Sequence, residues 1–214
     1  MVVLHAREVA GRWFGVAYSG EGLVATAVSA TRARTLGNLR SSVPEGVAHR
    51  VADEDGTDIA ERTIALLVEL EAGHEEHKRF SLADSIGEPL AAVLKVAAAI
   101  PLGYVTSYGE IAKVSGAEAR DVGKVMASNP LYPIVPCHRV VGADLALVGY
   151  AGSKGPAALR TKLGRLSQEA RGFKTEQQVL VEGRPLRCYP VEWAIANAER
   201  QGVGESRQRK LFEP

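Results

Sequence analysis

Cysteine is scarce in this 214-residue chain, which has only Cys137 and Cys188. Two thiols cannot build a disulfide framework, so a small secreted scaffold held by several bridges is excluded, and a reduced, cytoplasmic setting is expected. Long apolar runs are missing too. At 46% hydrophobic composition, no stretch has the ~20 consecutive apolar residues that a membrane-spanning helix needs. The chain opens on neither a secretory signal nor a basic amphipathic transit segment. Strong charge of one sign is also lacking, since the formal net charge is +1. That figure hides an asymmetry: residues 1–80 hold nine Lys+Arg against twelve Asp+Glu, a balance of −3, and residues 81–214 hold seventeen against thirteen, a balance of +4. A polyanion such as nucleic acid would meet the second part. An excess this small does not by itself identify a DNA binder.

Metal-ligating residues are equally sparse, and no metal or cofactor is expected. His74 and His77 have helical i, i+3 spacing, but with no thiolate or third ligand nearby they read as a solvated helix end or loop. Asp53, Glu54, Asp55 and Asp58 form an acidic cluster. A loop running into a helix N-terminus explains it better than a metal-dependent nuclease, because carboxylates there complement the helix dipole. Around this cluster, residues 1–80 read as a separate small α/β domain. Strands are expected at Trp13–Tyr18 and Gly22–Val28 on either side of a glycine turn, and a helix over Thr57–Leu70. Few Asn and Gln residues and an arginine-rich surface suit a thermophile.

What the chain does have is Pro136, Cys137, His138, Arg139 and Val140, a thiol beside an imidazole. The thiolate is the reactive form of cysteine, and neighbouring His, Lys or Arg groups lower its pKa from about 8.5. A small buried thiol is the ordinary fate of a free cysteine, so the residues upstream carry the argument. Ser107 with Glu110, and Ser115 with Glu118, have capping-box spacing. They predict two short helices in succession, separated by Gly116, with Val122, Val125 and Met126 on one face of the second. Any amphipathic helical hairpin has this outline, and so does a helix-turn-helix. Pro130, Pro133 and Pro136 then rule out a helix and predict a stiff, extended approach to Cys137.

Taken in order, Ile100, Pro101, Gly103, Val105, Ser107, Tyr108, then Arg120, Asn129, Pro130, the VPCHRVV run, Val148, Gly149, Tyr150, Lys162 and Glu169 resemble the active-site domain of the O6-alkylguanine-DNA alkyltransferases. The resemblance covers roughly residues 86–172. It implies an α/β protein, with a ribonuclease-H-like N-terminal domain and a mostly helical C-terminal domain that binds double-stranded DNA through the minor groove as a monomer. It also implies direct, irreversible transfer of a methyl or alkyl group from guanine O6 to Cys137, so that one turnover consumes the protein. The target base must first be rotated out of the stack. By this resemblance Tyr108 crowds the 3′ phosphate and donates to the leaving base, and Arg120 fills the vacated stack. Ala119, Gly123 and Lys124 lie on the DNA-facing helix. His138 takes the thiol proton through a water and is oriented by Glu169, the logic of other thiol enzymes. Asn129 holds the active-site turn, and Val148, Gly149, Tyr150 and Ala151 border the flipped base. The cysteines of a structural zinc site, which some relatives carry in the N-terminal domain, are absent.

The chain departs from the pattern at several points. Asp121 stands where relatives have a small residue, and its carboxylate would repel phosphates unless turned aside or paired with Lys124. Ala151 replaces a serine that bonds the base in some relatives. The loop from Tyr150 to Lys162 is longer, with Gly152, Gly155 and Pro156. Two other readings remain. An alkyltransferase-like module would bind the lesion without transfer, but such proteins lack the cysteine. A thiol hydrolase using Cys137 and His138 leaves Tyr108 and Arg120 unexplained, and neighbours on an extended strand point apart.

Residues 173–214 form an extension outside the resemblance. Within it, a hairpin is expected over Gln178–Tyr189 about Glu182 and Gly183, and a helix over Pro190–Gln201. The final residues, with Gln208, Leu211 and Phe212, resemble the short peptides that dock on a replication sliding clamp.

Overall fold

The computed structural model describes all residues except 21, 53–55, 75–79 and 204–214. The chain is mixed α/β and forms two compact units. One comprises Met1–Ala98 together with Asn129–Pro136, the other Ala99–Ser128 together with the chain from Cys137 onward.

In the first unit β1 (Val2–Val9), β2 (Arg12–Ser19) and β3 (Gly22–Ser29) form an antiparallel meander. Helix α1 (Arg32–Ser42) leads to β4 (His49–Val51), which pairs with β1 in parallel and gives the order β3-β2-β1-β4. Strand β1 was not anticipated, although the alternation of its side chains is plain in the fold. Leu4 packs with Leu36 and Leu39 of α1. Its neighbours His5 and Arg7, on the opposite face, meet Glu61 of α2 (Asp58–Glu71). Gly15 lets α1 approach, since a Cβ there would lie 2.4 Å from Thr35 Cγ2. Thr57 stands at the N-cap of α2, and Asp58 and Glu61 occupy its first turn, as the dipole favours. The rest of the acidic cluster and His77 lie outside the described residues. His74 is exposed, and its Nδ1 lies 2.9 Å from Glu69 Oε2. Helix α3 (Glu88–Ala98) completes the unit.

The second unit is built on β5 (Tyr104–Ser107), followed by α4 (Tyr108–Ser115) and α5 (Ala119–Ala127). A 3-10 turn at Cys137–Arg139 leads into the short β6 (Val140–Val141), and α6 (Pro156–Gln168) follows. The chain beyond Gly172 then adds β7 (Gln177–Val181), β8 (Arg184–Pro190) and α7 (Val191–Arg200). Glu182 and Gly183, both with positive φ (49° and 78°), make the two-residue hairpin turn, where the primed turn geometry demands such angles.

These last elements are part of the second unit. Strand β8 pairs antiparallel with β5, and β5 pairs parallel with β6, in the order β6-β5-β8-β7. Val191, Ala194 and Ala198 of α7 are fully buried with Val105, Val141 and Leu166. Burial of that apolar face is what draws residues 173–203 into the unit. The division therefore differs from the expected 1–80, 86–172 and 173–214: α3 groups with the first unit and the described part of the extension with the second. Among the described residues no helix is long and apolar enough to cross a membrane.

Candidate active site

Ser107 ends β5 and caps α4, its Oγ accepting from Glu110 N at 3.1 Å, so Tyr108 becomes the first residue of that helix. Gly116 stops α4 with φ 79°, a left-handed conformation that glycine reaches without steric cost. The second expected capping box does not form. Ser115 is the last residue of α4, and its hydroxyl donates back to Ile111 O at 2.8 Å, leaving Glu118 at the N-cap of α5 without a side-chain cap bond. Helix α5 turns Val122 and Met126 inward and leaves Ala119, Arg120, Asp121 and Lys124 exposed. Lys124 Nζ donates to Asp121 Oδ1 at 2.8 Å. That pairing raises the lysine pKa and screens the one carboxylate that departs from the pattern.

The approach to Cys137 is not the extended run expected from its prolines. In the first unit Asn129 Nδ2 donates to Val135 O at 2.7 Å and its Oδ1 accepts from Leu131 N at 3.0 Å. Val135 N also bonds Leu131 O at 2.8 Å. The segment is thus a closed turn. Its other anchor is β3, where Thr26 N donates to Pro130 O and Thr26 Oγ1 to Tyr132 O, both at 2.8 Å. Prolines exclude a helix, but they are equally at home in turns, and the side-chain bonds of Asn129 decide between turn and strand. The chain then enters the 3-10 turn at Cys137–Arg139.

Consecutive residues of this turn reach one carboxylate. His138 Nε2 lies 2.7 Å from Glu169 Oε1. Arg139 donates from Nε to Oε2 at 2.7 Å, from Nη2 to Oε1 at 2.8 Å, and from Nη1 to Ile100 O at 2.9 Å. Glu169 stands at the C-cap of α6. His138 and Arg139 are both buried. Burial lowers the His138 pKa against the raising influence of Glu169, so the ring is neutral at pH 7. Burial alone would raise the Glu169 carboxyl, but its hydrogen bonds from His138 and Arg139 outweigh that and bring it to about 2. With the imidazole neutral, the Arg139 guanidinium is the compensating cation. Arg139 was missed as a site residue. An arginine adjoining the Cys-His pair was the available signal.

Cys137 (8% exposed) opens onto a pocket of about 570 Å³. Tyr108, Ala119, Arg120, Gly123, Lys124, Val148, Gly149, Tyr150 and Ala151 line it, all expected at the site, and so do Met126, Ala127, Gly152, Ser153 and Lys154, which were not. His138 and Glu169 are not among the lining residues. Burial, then the Cys137 thiolate, raise the Tyr108 pKa, which keeps the phenol protonated and able to donate. The rim is a tight turn in which Tyr150 and Ser153 exchange backbone hydrogen bonds of 2.9 and 3.0 Å. Ala151 sits there at φ 47°, a left-handed alanine that costs about 1 kcal/mol.

Lys162, with no exposed surface, ties the wall together. Its Nζ donates to Val140 O at 2.5 Å and to Gly149 O at 3.0 Å, joining the strand after Cys137 to the rim. Burial brings its pKa down to about 8, with the Cys137 thiolate working the other way. Cys188, by contrast, is buried with its thiol pushed up to about 12 and serves as packing.

Several known proteins resemble this part of the chain. Residues 89–171 match the model described as "6-O-methylguanine DNA methyltransferase, DNA binding domain". The chain is 57% identical over 53 residues, 25% of its length, to a methylated-DNA–protein-cysteine methyltransferase of Pyrobaculum aerophilum. It is 54% identical over 55 residues, again 25% of the chain, to that of Mycobacterium leprae. These matches span only about a third of the relatives' own lengths, 36% and 33%. Among solved structures, Mycobacterium tuberculosis OGT in complex with DNA is similar at TM-score 0.53 and 26% identity, covering 78% of this chain and 93% of that one. An O6-methylguanine-DNA methyltransferase from the hyperthermophilic archaeon Pyrococcus kodakaraensis shares the fold at TM-score 0.51 and 22% identity, over 80% of this chain and all of that one.

Proposed function

We propose that the protein repairs DNA by taking a methyl or larger alkyl group from guanine O6 onto Cys137 Sγ, irreversibly and once per molecule. The observation that carries this reading is the convergence of Cys137, Tyr108, Arg120 and the Val148–Ala151 rim on one pocket. In the reaction the sulfur–carbon bond forms as the carbon–O6 bond breaks, and the guanine leaves as a neutral base once protonated. His138, with Nε2 on Glu169, would accept the thiol proton at Nδ1 through a water. General-base help of this kind is worth ~10²–10⁴-fold in rate. Tyr108, held protonated, would donate to the departing base. Because the thioether product is stable, no step regenerates the thiol.

The partner is double-stranded DNA, approached through the minor groove by the α4–α5 pair acting as a helix-turn-helix, with the target base flipped into the pocket and Arg120 filling the stack. Unstacking costs a few kcal/mol, which such a wedge offsets. The protein would act as a monomer. Docking on a sliding clamp through Gln208, Leu211 and Phe212 is a further element of this reading; those residues lie outside the described part of the chain.

Mass spectrometry after incubation with methylated duplex tests the assignment. One methyl on Cys137 is expected, with none on Cys137→Ala although that variant still binds the duplex. Binding by the wild type without any mass gain would support a lesion-binding module instead, and stoichiometric methylation of Cys137→Ala would remove Cys137 as the acceptor.

A further inference from the structure

Three donors converge on the Glu169 carboxylate, and two of them belong to Arg139. A buried carboxylate that shares a hydrogen bond with an imidazole can sit in two arrangements. With the carboxylate ionised, the imidazole keeps its proton on Nε2 and presents Nδ1 as acceptor. With the carboxyl protonated, it donates to Nε2, the ring carries its proton on Nδ1, and no basic nitrogen faces away from the glutamate. The cation that accompanies the carboxylate selects between them. Arg139 is suited to this because its guanidinium grips both oxygens in a fork, cannot give up its proton, and is anchored at the third nitrogen by Ile100 O.

We propose that Arg139 is a positioning residue that holds Glu169 ionised and so fixes His138 in the tautomer with Nδ1 as the proton acceptor. This deepens the alkyl-transfer reading and rests on it. The groups facing Glu169 are His138 and Arg139 from the 3-10 turn, and Arg165 bears on His138 from α6. Arg139 alone among them is seen with two donors on the carboxylate. Without it, a buried carboxylate loses its counter-charge and takes up a proton at higher pH, and the base is lost as that happens.

The pH profile of the single-turnover transfer rate to Cys137 reads this directly. In Arg139→Gln the acid limb should move upward by a pH unit or more, so that the loss relative to wild type deepens as pH falls and recovers toward pH 8.5. Arg139→Lys, which restores a cation, should move the limb back toward the wild-type position. A loss that is the same at every pH would mean that Arg139 only supports the fold, and would overturn the proposal. If neither variant folds, nitrogen-15 NMR of the wild-type protein still decides. His138 should be neutral and protonated on Nε2 at pH 7, and an Nδ1–H ring or an imidazolium there would refute the assignment. Absence of any transfer by the wild type would instead count against the functional reading, while the tautomer measurement would still stand for the positioning role.

Discussion

Glu169→Gln offers the sharpest physical test of the buried cluster, because it keeps the side chain's shape and removes only its charge. The glutamine must turn an N–H toward Arg139 or toward His138 Nε2, both of which are already donors. Arg139 is then a buried cation deprived of its carboxylate. Breaking a buried pair from one side typically costs roughly 3–5 kcal/mol, and that is the destabilisation expected at pH 7. The pH dependence gives an independent number. The folded-state carboxyl sits at about 2 against an ordinary 4.5, so its stabilisation is fully present above pH 4.5 and is lost as pH falls toward 2. At 1.36 kcal/mol per pKa unit the full effect is about 3 kcal/mol for this largely buried group, of which about 2 kcal/mol falls between pH 5 and pH 3. Urea unfolding of both proteins at pH 7, 5 and 3 measures it. Wild type should lose about 2 kcal/mol more than the variant over the acid interval. Parallel losses would refute the reasoning, since they would mean that Glu169 is not held ionised by its partners.

Arg120→Ala should slow transfer from duplex DNA by roughly tenfold or more, while reaction with free O6-benzylguanine stays near wild type, because only the duplex has a stack to fill; equal losses on both substrates would show that Arg120 is not the wedge. Asp121→Ala releases Lys124 from its carboxylate, so binding to duplex should tighten and the salt dependence of log K should steepen by about 0.9 for each additional phosphate that the freed lysine neutralises. An unchanged salt slope would mean that this face of α5 does not meet DNA. Lys162→Met leaves the Val140 and Gly149 carbonyls without their donor, at ~1–3 kcal/mol each, partly offset by no longer burying an ammonium. Because the folded lysine loses its proton at about 8 and the ordinary one at 10.5, wild-type stability should gain a rising contribution between those pH values that the variant lacks; identical slopes in chemical denaturation would exclude a buried, charged Lys162.

How far the sequence reached follows from how local each signal is. The Ser107 cap, the Gly116 stop, the Glu182–Gly183 hairpin turn and the α7 helix were legible because capping and turn geometry are settled within a few residues. Most of the residues from Tyr108 to Ala151 that line one pocket were singled out by their types and order alone. Ser115 went astray because its hydroxyl had a competing acceptor one turn back at Ile111, and spacing alone does not choose between the two. The run into Cys137 went astray because proline excludes a helix without saying what replaces it. There the side-chain bonds of Asn129 and the backbone bonds to Thr26 decided for a turn, and Thr26 is far away along the chain. Distance in sequence likewise hid the union of β8 with β5, which makes the C-terminal segment part of the site's own unit, and the grip of Arg139 on Glu169. By itself the sequence determined which chemical groups the protein possesses and the short-range geometry that presents them. Which carboxylate a buried arginine neutralises, and which carbonyls a buried lysine ties, were decided only by the tertiary structure, because burial makes those pairings obligatory and burial is a property of the whole fold.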